Sequence, residues 1–349
     1  MPNIPAASLT RFGRDLFTAS GCSATEAMAI AEHLVEANLT GHDSHGAGKL
    51  PEYVNAIREG RAKINEQGEI VLDAGAIIVL EGKRGMGQTL AARAVELGVA
   101  RARDLGASVV GLRNAHHIGR VGAWAEQAAA AGFVSVHFVN VVGHTPYVAP
   151  YGGRESRIAT NPVTIGVPAT GKPPVILDFA TSRIAFGKLF VANAKGEPAP
   201  ENTVIDHQGK PTRDPSVVLK APLGAILPFG DHKGSGLGFL ADILAGALTG
   251  GHTNEPNTPQ DHTAINNMLS ILIDPGRLGN ADHWMAEVNA ITDWVKSSAP
   301  REGFSEVMIA GEPEQRSRAK RLAEGVPLDK NTVAALEATG RLLGVTSGW

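Results

Sequence analysis

The chain has 349 residues, 43% of them hydrophobic and 19% charged, with a formal net charge of -3. Its length predicts two domains or one large elaborated one, and its composition excludes a disordered segment. The charge excludes the basic surplus of a nucleic-acid binder, so the expected partner is a small soluble molecule.

The single cysteine, Cys22, rules out an internal disulfide framework and a Cys-rich zinc site, and fits a reducing compartment. The cytoplasm is the expected location, because the N-terminal residues show no basic segment followed by an apolar core and a cleavage site.

Taken in chain order, Ser23 with Glu26 three residues later reads as a capping box, and the apolar spacing that follows predicts a helix ended by Gly41. This places "GHDSHG" (41–46) at the helix C-terminus or in the loop after it. "KLPEYVNAIREGRA" predicts a second helix ending at Gly60, so roughly the first seventy residues are mainly helical. "AIIVLEG", "ASVVGLRN", "FVSVHFVNVVG" and "PPVILDFATS" then read as strands, with helical patterns between them in "TLAARAVELGVARARDLG" and "VGAWAEQAAAAG". "GMGQTLA" (85–91) resembles the start of a dinucleotide fingerprint. Leu90 stands where the third glycine belongs and no acidic strand end follows, so the run is read as a glycine-rich turn serving packing.

The stretch from "NAKGEPAP" to "TRDPS" reads as a long surface excursion. The apolar run Gly234–Gly251 approaches a membrane span in length but carries Asp242, and is read as a buried helix with no membrane role. From about Lys233 onward helices return, including "HWMAEVNAITDWVKS" and "DKNTVAALEATGRLLG".

Three polar constellations interrupt this apolar texture: "GHDSHG", "RNAHHIGRVG" (113–122) and "GDHKGSGLG" (230–238). His116 and His117 fall at the carboxyl end of a strand, where open α/β sheets place ligands, and imidazole suits proton transfer near neutral pH. His232 and Lys233 before a glycine-rich helix start read as a backbone nest for an anion. Asp43 either orients His45 or caps the turn. A rival reading, a metal-dependent hydrolase or lyase, takes His42, His45, His116, Asp43 and Asp178 as a ligand set, but lacks an H-E-x-x-H pattern, paired cysteines or a carboxylate cluster.

"DSHG", "NAHHIG", "ATNP", "VILDFATSRIAFGK", "GDHKGSGLG" and "AGEP" follow one another in an order that resembles the type 2 malate/L-lactate dehydrogenase family. That family includes sulfolactate, ureidoglycolate and diketogulonate dehydrogenases or reductases, and the likeness is closest to its broad 2-hydroxycarboxylate branch. The resemblance implies an α/β (α+β) fold: a non-Rossmann, mixed-sheet NAD(P)-binding domain at 76–231, and a discontinuous helical domain at 1–75 and 232–349. It implies transfer of a hydride between NAD or NADP and C2 of a 2-hydroxy or 2-oxo acid, in a homodimer or a multiple of one.

Carried over by motif, His45 and His117 are the proton-exchanging histidines, with Asp43 beside them. The implied substrate contacts are Ser44, Lys49, His116, Arg120, Thr160 and Asn161. The implied cofactor contacts are Asp178, Ala180, Thr181, Ser182, His232, Lys233, Gly311 and Glu312, with no metal. One departure concerns position 49, where the family commonly has arginine: Lys49 keeps the charge but lacks the planar fork that grips a carboxylate.

Overall fold

The computed structural model describes residues 2–349. Both chain ends build one helical layer. α1 (Ala6–Ala19) and α2 (Ala24–Leu39) pack on each other, joined by α3 (Leu50–Arg58), α10 (Glu312–Glu324) and α11 (Lys330–Leu343). Their shared core holds Phe12, Phe17, Leu34, Tyr53 and Leu336. A two-residue strand β1 (Asn3–Ile4) pairs with β12 (Val326–Pro327) and ties the ends together. Ser23 caps α2 by accepting the Glu26 N–H at 3.2 Å, as expected. The reciprocal half of the capping box is absent, because Asn65 takes both the Ser23 N–H and the Glu26 carboxylate.

The second layer is a seven-stranded mixed sheet made of β2 (Glu69–Ala74), β3 (Ile77–Glu81), β4 (Ala107–His116), β5 (Val134–Val142), β6 (Val163–Val167), β7 (Val175–Phe179) and β11 (Ile265–Ile273). Its order is β2-β3-β4-β11-β5-β6-β7, and only β3 and β4 are parallel. α4 (Gly87–Leu105) and α5 (Gly122–Ala130) cover one face, burying Leu90, Val95, Leu112, Val139 and Leu272 between helices and sheet.

β11 corrects the expected division of the chain. It lies within 232–349, the segment assigned to helices, yet occupies the centre of the sheet between β4 and β5. Seven of its nine residues are buried, so it carries no polar–apolar alternation to mark it as a strand.

The expected surface excursion is also more structured than its composition suggests. α6 (Phe186–Lys195) and a small sheet of β8 (Val204–Ile205), β9 (Pro211–Thr212) and β10 (Ala225–Ile226) enclose a core of Val148, Leu189, Val204, Val218 and Ile226.

α7 (His232–Asp242) runs into a π-helical turn at 243–247 and packs on β5 and β11. Asp242 is satisfied by Asn140 and Asn254. This run was expected to be buried, but Phe239 is 57% and Leu248 64% exposed, so one side stands bare. α8 (Pro275–Leu278) and α9 (Ala281–Lys296) lie between β11 and α10 in the chain. Among the described residues no helix is long and apolar enough to cross a membrane.

Candidate active site

The "GHDSHG" loop is held from below by side chains that the sequence did not single out. After Gly41, in the left-handed region at φ 88°, the chain makes a 3-10 turn over Asp43–His45. Buried Asn38 donates to Asp43 Oδ1 at 2.6 Å and accepts the Ala47 N–H at 2.7 Å. Arg321 of α10 grips the Asp43 carboxylate with both nitrogens, at 2.6 and 3.0 Å. Of the two roles open to Asp43 these contacts favour bracing the turn. Ser44 Oγ, at 3.0 Å, is the partner of His45 Nδ1 instead.

His117 is placed by a bulge in β4. Asn114 adopts φ 54°, the register against β11 shifts between Asn266 and Met268, and the Asn114 N–H turns to Asn267 Oδ1. The chain then passes over the start of α4 so closely that a Cβ on Gly87 would lie 2.2 Å from the His116 carbonyl and 2.4 Å from that of His117. This is the packing service expected of the glycine-rich turn.

Tyr53 Oη lies 2.5 Å from His117 Nδ1, and Gln88 Nε2 donates both to Tyr53 Oη and to the His117 carbonyl, each at 3.1 Å. The rings of His45 and His117 stack 5.4 Å apart at 20°. His116 is turned away. It is 1% exposed, packs edge-on against Tyr53 at 5.0 Å, and its Nδ1 has no partner.

Burial governs the electrostatics. It lowers His45 to about 3, assisted by the charges of Lys49, His42 and Arg120. His117 lies well below the usual imidazole value, again through burial first and then through His45 and Lys49. Burial raises the Tyr53 phenol, which stays protonated. Both imidazoles are therefore neutral at pH 7.

Two cations flank the pair. Lys49 forms an ion pair with Glu52 at 2.7 Å. Arg120 is 2% exposed and pairs with Glu126, while its Nη1 has no partner. The Arg120 N–H is accepted by His33 Nε2 at 2.9 Å, and the His33 ring stacks on Trp124. Asp178 accepts the Gly122 N–H at 2.9 Å and the Thr164 hydroxyl at 2.8 Å. A Cβ on Gly122 would lie 2.5 Å from Arg120 Nη1 and 2.7 Å from Asp178 Oδ2, so only glycine lets these two opposite charges approach the start of α5 so closely.

The remaining expected residues follow the carboxyl end of β7. Ala180 is half-buried there, while Thr181 and Ser182 are buried and bond to backbone carbonyls of Thr160, Asn161 and Ile184. Asn161 is fully buried and bridges the Val141 N–H to the Gly238 carbonyl, which braces the loop before β6. Thr160 offers its carbonyl to Thr181.

His232 and Lys233 are exposed at the start of α7. The expected anion nest does not form, because the N–H groups of Lys233, Gly234 and Ser235 are already bonded to carbonyls of Gly230, Phe229 and Asp231. Gly311, at φ 93°, lies against Ile176, and Glu312 is engaged by Lys296 and the Ile309 N–H. The rival metal set does not assemble. Asp43 and Asp178 are committed as described, and no group of three ligand-type side chains among the described residues could hold an ion.

Comparison with known proteins matches residues 4–337 to the family model for malate/L-lactate dehydrogenase. The chain belongs to the malate/L-lactate dehydrogenase family. It is 44% identical to hydroxycarboxylate dehydrogenase B of Escherichia coli, with 97% of this chain and 94% of that one aligned. An L-lactate dehydrogenase of Cupriavidus necator is 41% identical over 91% of each chain. Among solved structures, a putative malate/lactate dehydrogenase from E. coli superposes with a TM-score of 0.94 at 43% identity, covering 99% of this chain and 96% of that one.

Membership of this oxidoreductase family implies a nicotinamide cofactor, and the site suits one. A buried arginine nitrogen without a partner, close enough to act on His45 and set near the Asp178 carboxylate at the start of α5, is a polar group free to take a cofactor oxygen.

Proposed function

We propose that the protein is an NAD(P)-dependent 2-hydroxycarboxylate dehydrogenase, with His117 exchanging the hydroxyl proton and His45 holding the same oxygen. The observation that carries this reading is the stacking of two neutral imidazoles from distant motifs, one backed by a buried phenol and the other by a serine. Arg120, Asp178 and Lys233 are the residues that would hold the cofactor, outside any Rossmann-type loop. A nicotinamide held there would accept or supply the hydride at C2.

The chain's own residues do the rest. With the hydroxy acid bound, neutral His117 receives the hydroxyl proton on Nε2, while its Nδ1–H is accepted by Tyr53 Oη. Gln88, donating to that same oxygen, keeps the phenol in place. In the reverse direction the imidazolium returns its proton to the forming alkoxide, and His45 donates to the same oxygen. Lys49 attracts the substrate carboxylate and orients it. We further propose that the enzyme works in the cytoplasm, as a homodimer or a multiple of one.

The test is a panel of 2-oxo acids with NADH and with NADPH, followed by loss of reduced-nicotinamide absorbance. Turnover without added metal that survives chelator supports the reading. No turnover with any acid, together with chelator-sensitive hydrolysis, would replace it.

A further inference from the structure

The walls of the cleft differ in charge. On one side, Lys49 and Glu52 stand one turn apart at the start of α3 and form an ion pair at 2.7 Å. Tyr53, the next residue, reaches His117, so the pair rises from the same helical turn that supports the reacting ring. Both charges are felt across the site: Lys49 acts on His45, His117 and His144, and Glu52 acts on His116, His144 and Tyr147.

On the other side, Tyr147 stacks on Phe186 at 3.9 Å and His144 stacks on Tyr147 at 5.0 Å. Gly187, next to Phe186, packs directly on Ser44. His144 adds no positive charge to this wall, since burial lowers it below its usual value. Arg120 already serves Glu126 with one nitrogen. After one carboxylate is bound at Lys49, a second near the start of α3 would face the Glu52 charge.

We propose that Glu52 sets the substrate class by neutralising Lys49, so that the cleft accepts 2-oxo acids with one carboxylate and an uncharged substituent and disfavours dicarboxylates. This rests on the 2-oxo acid reading above. Two like charges roughly 6 Å apart in a partly solvated cleft change relative binding by about tenfold. Because Lys49 and Glu52 are 32% and 49% exposed, the effect is screened by salt.

The experiment compares kcat/KM for oxaloacetate and 2-oxoglutarate with that for pyruvate and 2-oxobutyrate. It uses the wild type, Glu52→Gln and Glu52→Ala, at about 10 mM and about 0.5 M salt. The wild type is expected to favour the monocarboxylates, and both variants to raise the dicarboxylate-to-monocarboxylate ratio about tenfold at low salt and less at high salt. A wild type that prefers dicarboxylates, or ratios in both variants within about twofold of the wild type, would overturn the assignment while leaving the dehydrogenase reading intact. Absence of turnover with every acid would remove that reading and this inference with it.

Discussion

Tyr53 Oη sits 2.5 Å from His117 Nδ1, and Gln88 donates to the same phenol oxygen. Tyr53→Phe keeps the ring in the core and deletes the hydroxyl, leaving the half-buried His117 Nδ1 and one Gln88 N–H without this partner at a cost of about 1–3 kcal/mol. The expected result is a fall in kcat of about 10- to 100-fold with little change in KM, read by steady-state kinetics. Equal losses in KM and in cofactor affinity would instead mark Tyr53 as a packing residue.

Asp43 separates bracing from chemistry. His117→Ala is expected to lower kcat by about 10²- to 10⁴-fold, the range for loss of a proton-transfer group. Asp43→Asn keeps the size of the side chain and part of its hydrogen bonding to Asn38 and Arg321, so kcat should fall by less than about tenfold and thermal stability by about 1 kcal/mol. Rates and melting curves on the two variants distinguish the roles. A loss in Asp43→Asn equal to that in His117→Ala would return Asp43 to the chemistry.

Gly87 has no room for a methyl group. Its Cβ would collide with the carbonyls of His116 and His117, which are backbone atoms fixed by the β4 bulge. Gly87→Ala should destabilise the fold by about 2 kcal/mol or more and displace His117, seen as a lower melting temperature and a lower kcat. A variant with wild-type melting and turnover would show that the bulge yields freely.

Buried neutral imidazoles make the protein acid-sensitive. His33 and His137 are lowered to about 3 and His116 to about 4, in each case mainly by burial. Unfolding frees each to take up a proton below its ordinary value of about 6.5, so the stability they contribute is complete above that pH and is lost as pH falls toward 3. At pH 5 each costs up to about 2 kcal/mol. Denaturant titrations from pH 7.5 to pH 4.5 should show this slope, and a flat profile would contradict it.

The same depression shapes catalysis. With His117 held well below 6.5, oxidation of a hydroxy acid needs the neutral ring and should stay on its plateau to below pH 6.5. Reduction needs the proton and should decline as pH rises. The pH dependence of kcat/KM in both directions checks the sign.

Local sequence was enough to locate several of these elements and the two motifs whose imidazoles meet. The periodic apolar residues of α2 and α3, the strand runs of β3, β4, β5 and β7, and the ordered motifs carrying His45 and His117 could be read directly, because helix and strand periods are properties of neighbouring residues. What only the tertiary structure decided depends on residues far apart in the chain. β11 became the central strand by burial on both faces; Arg321 claimed Asp43 from 278 positions away; Tyr53, a core aromatic in sequence, reached His117 across 64. Packing chooses such partners, and no local period announces them.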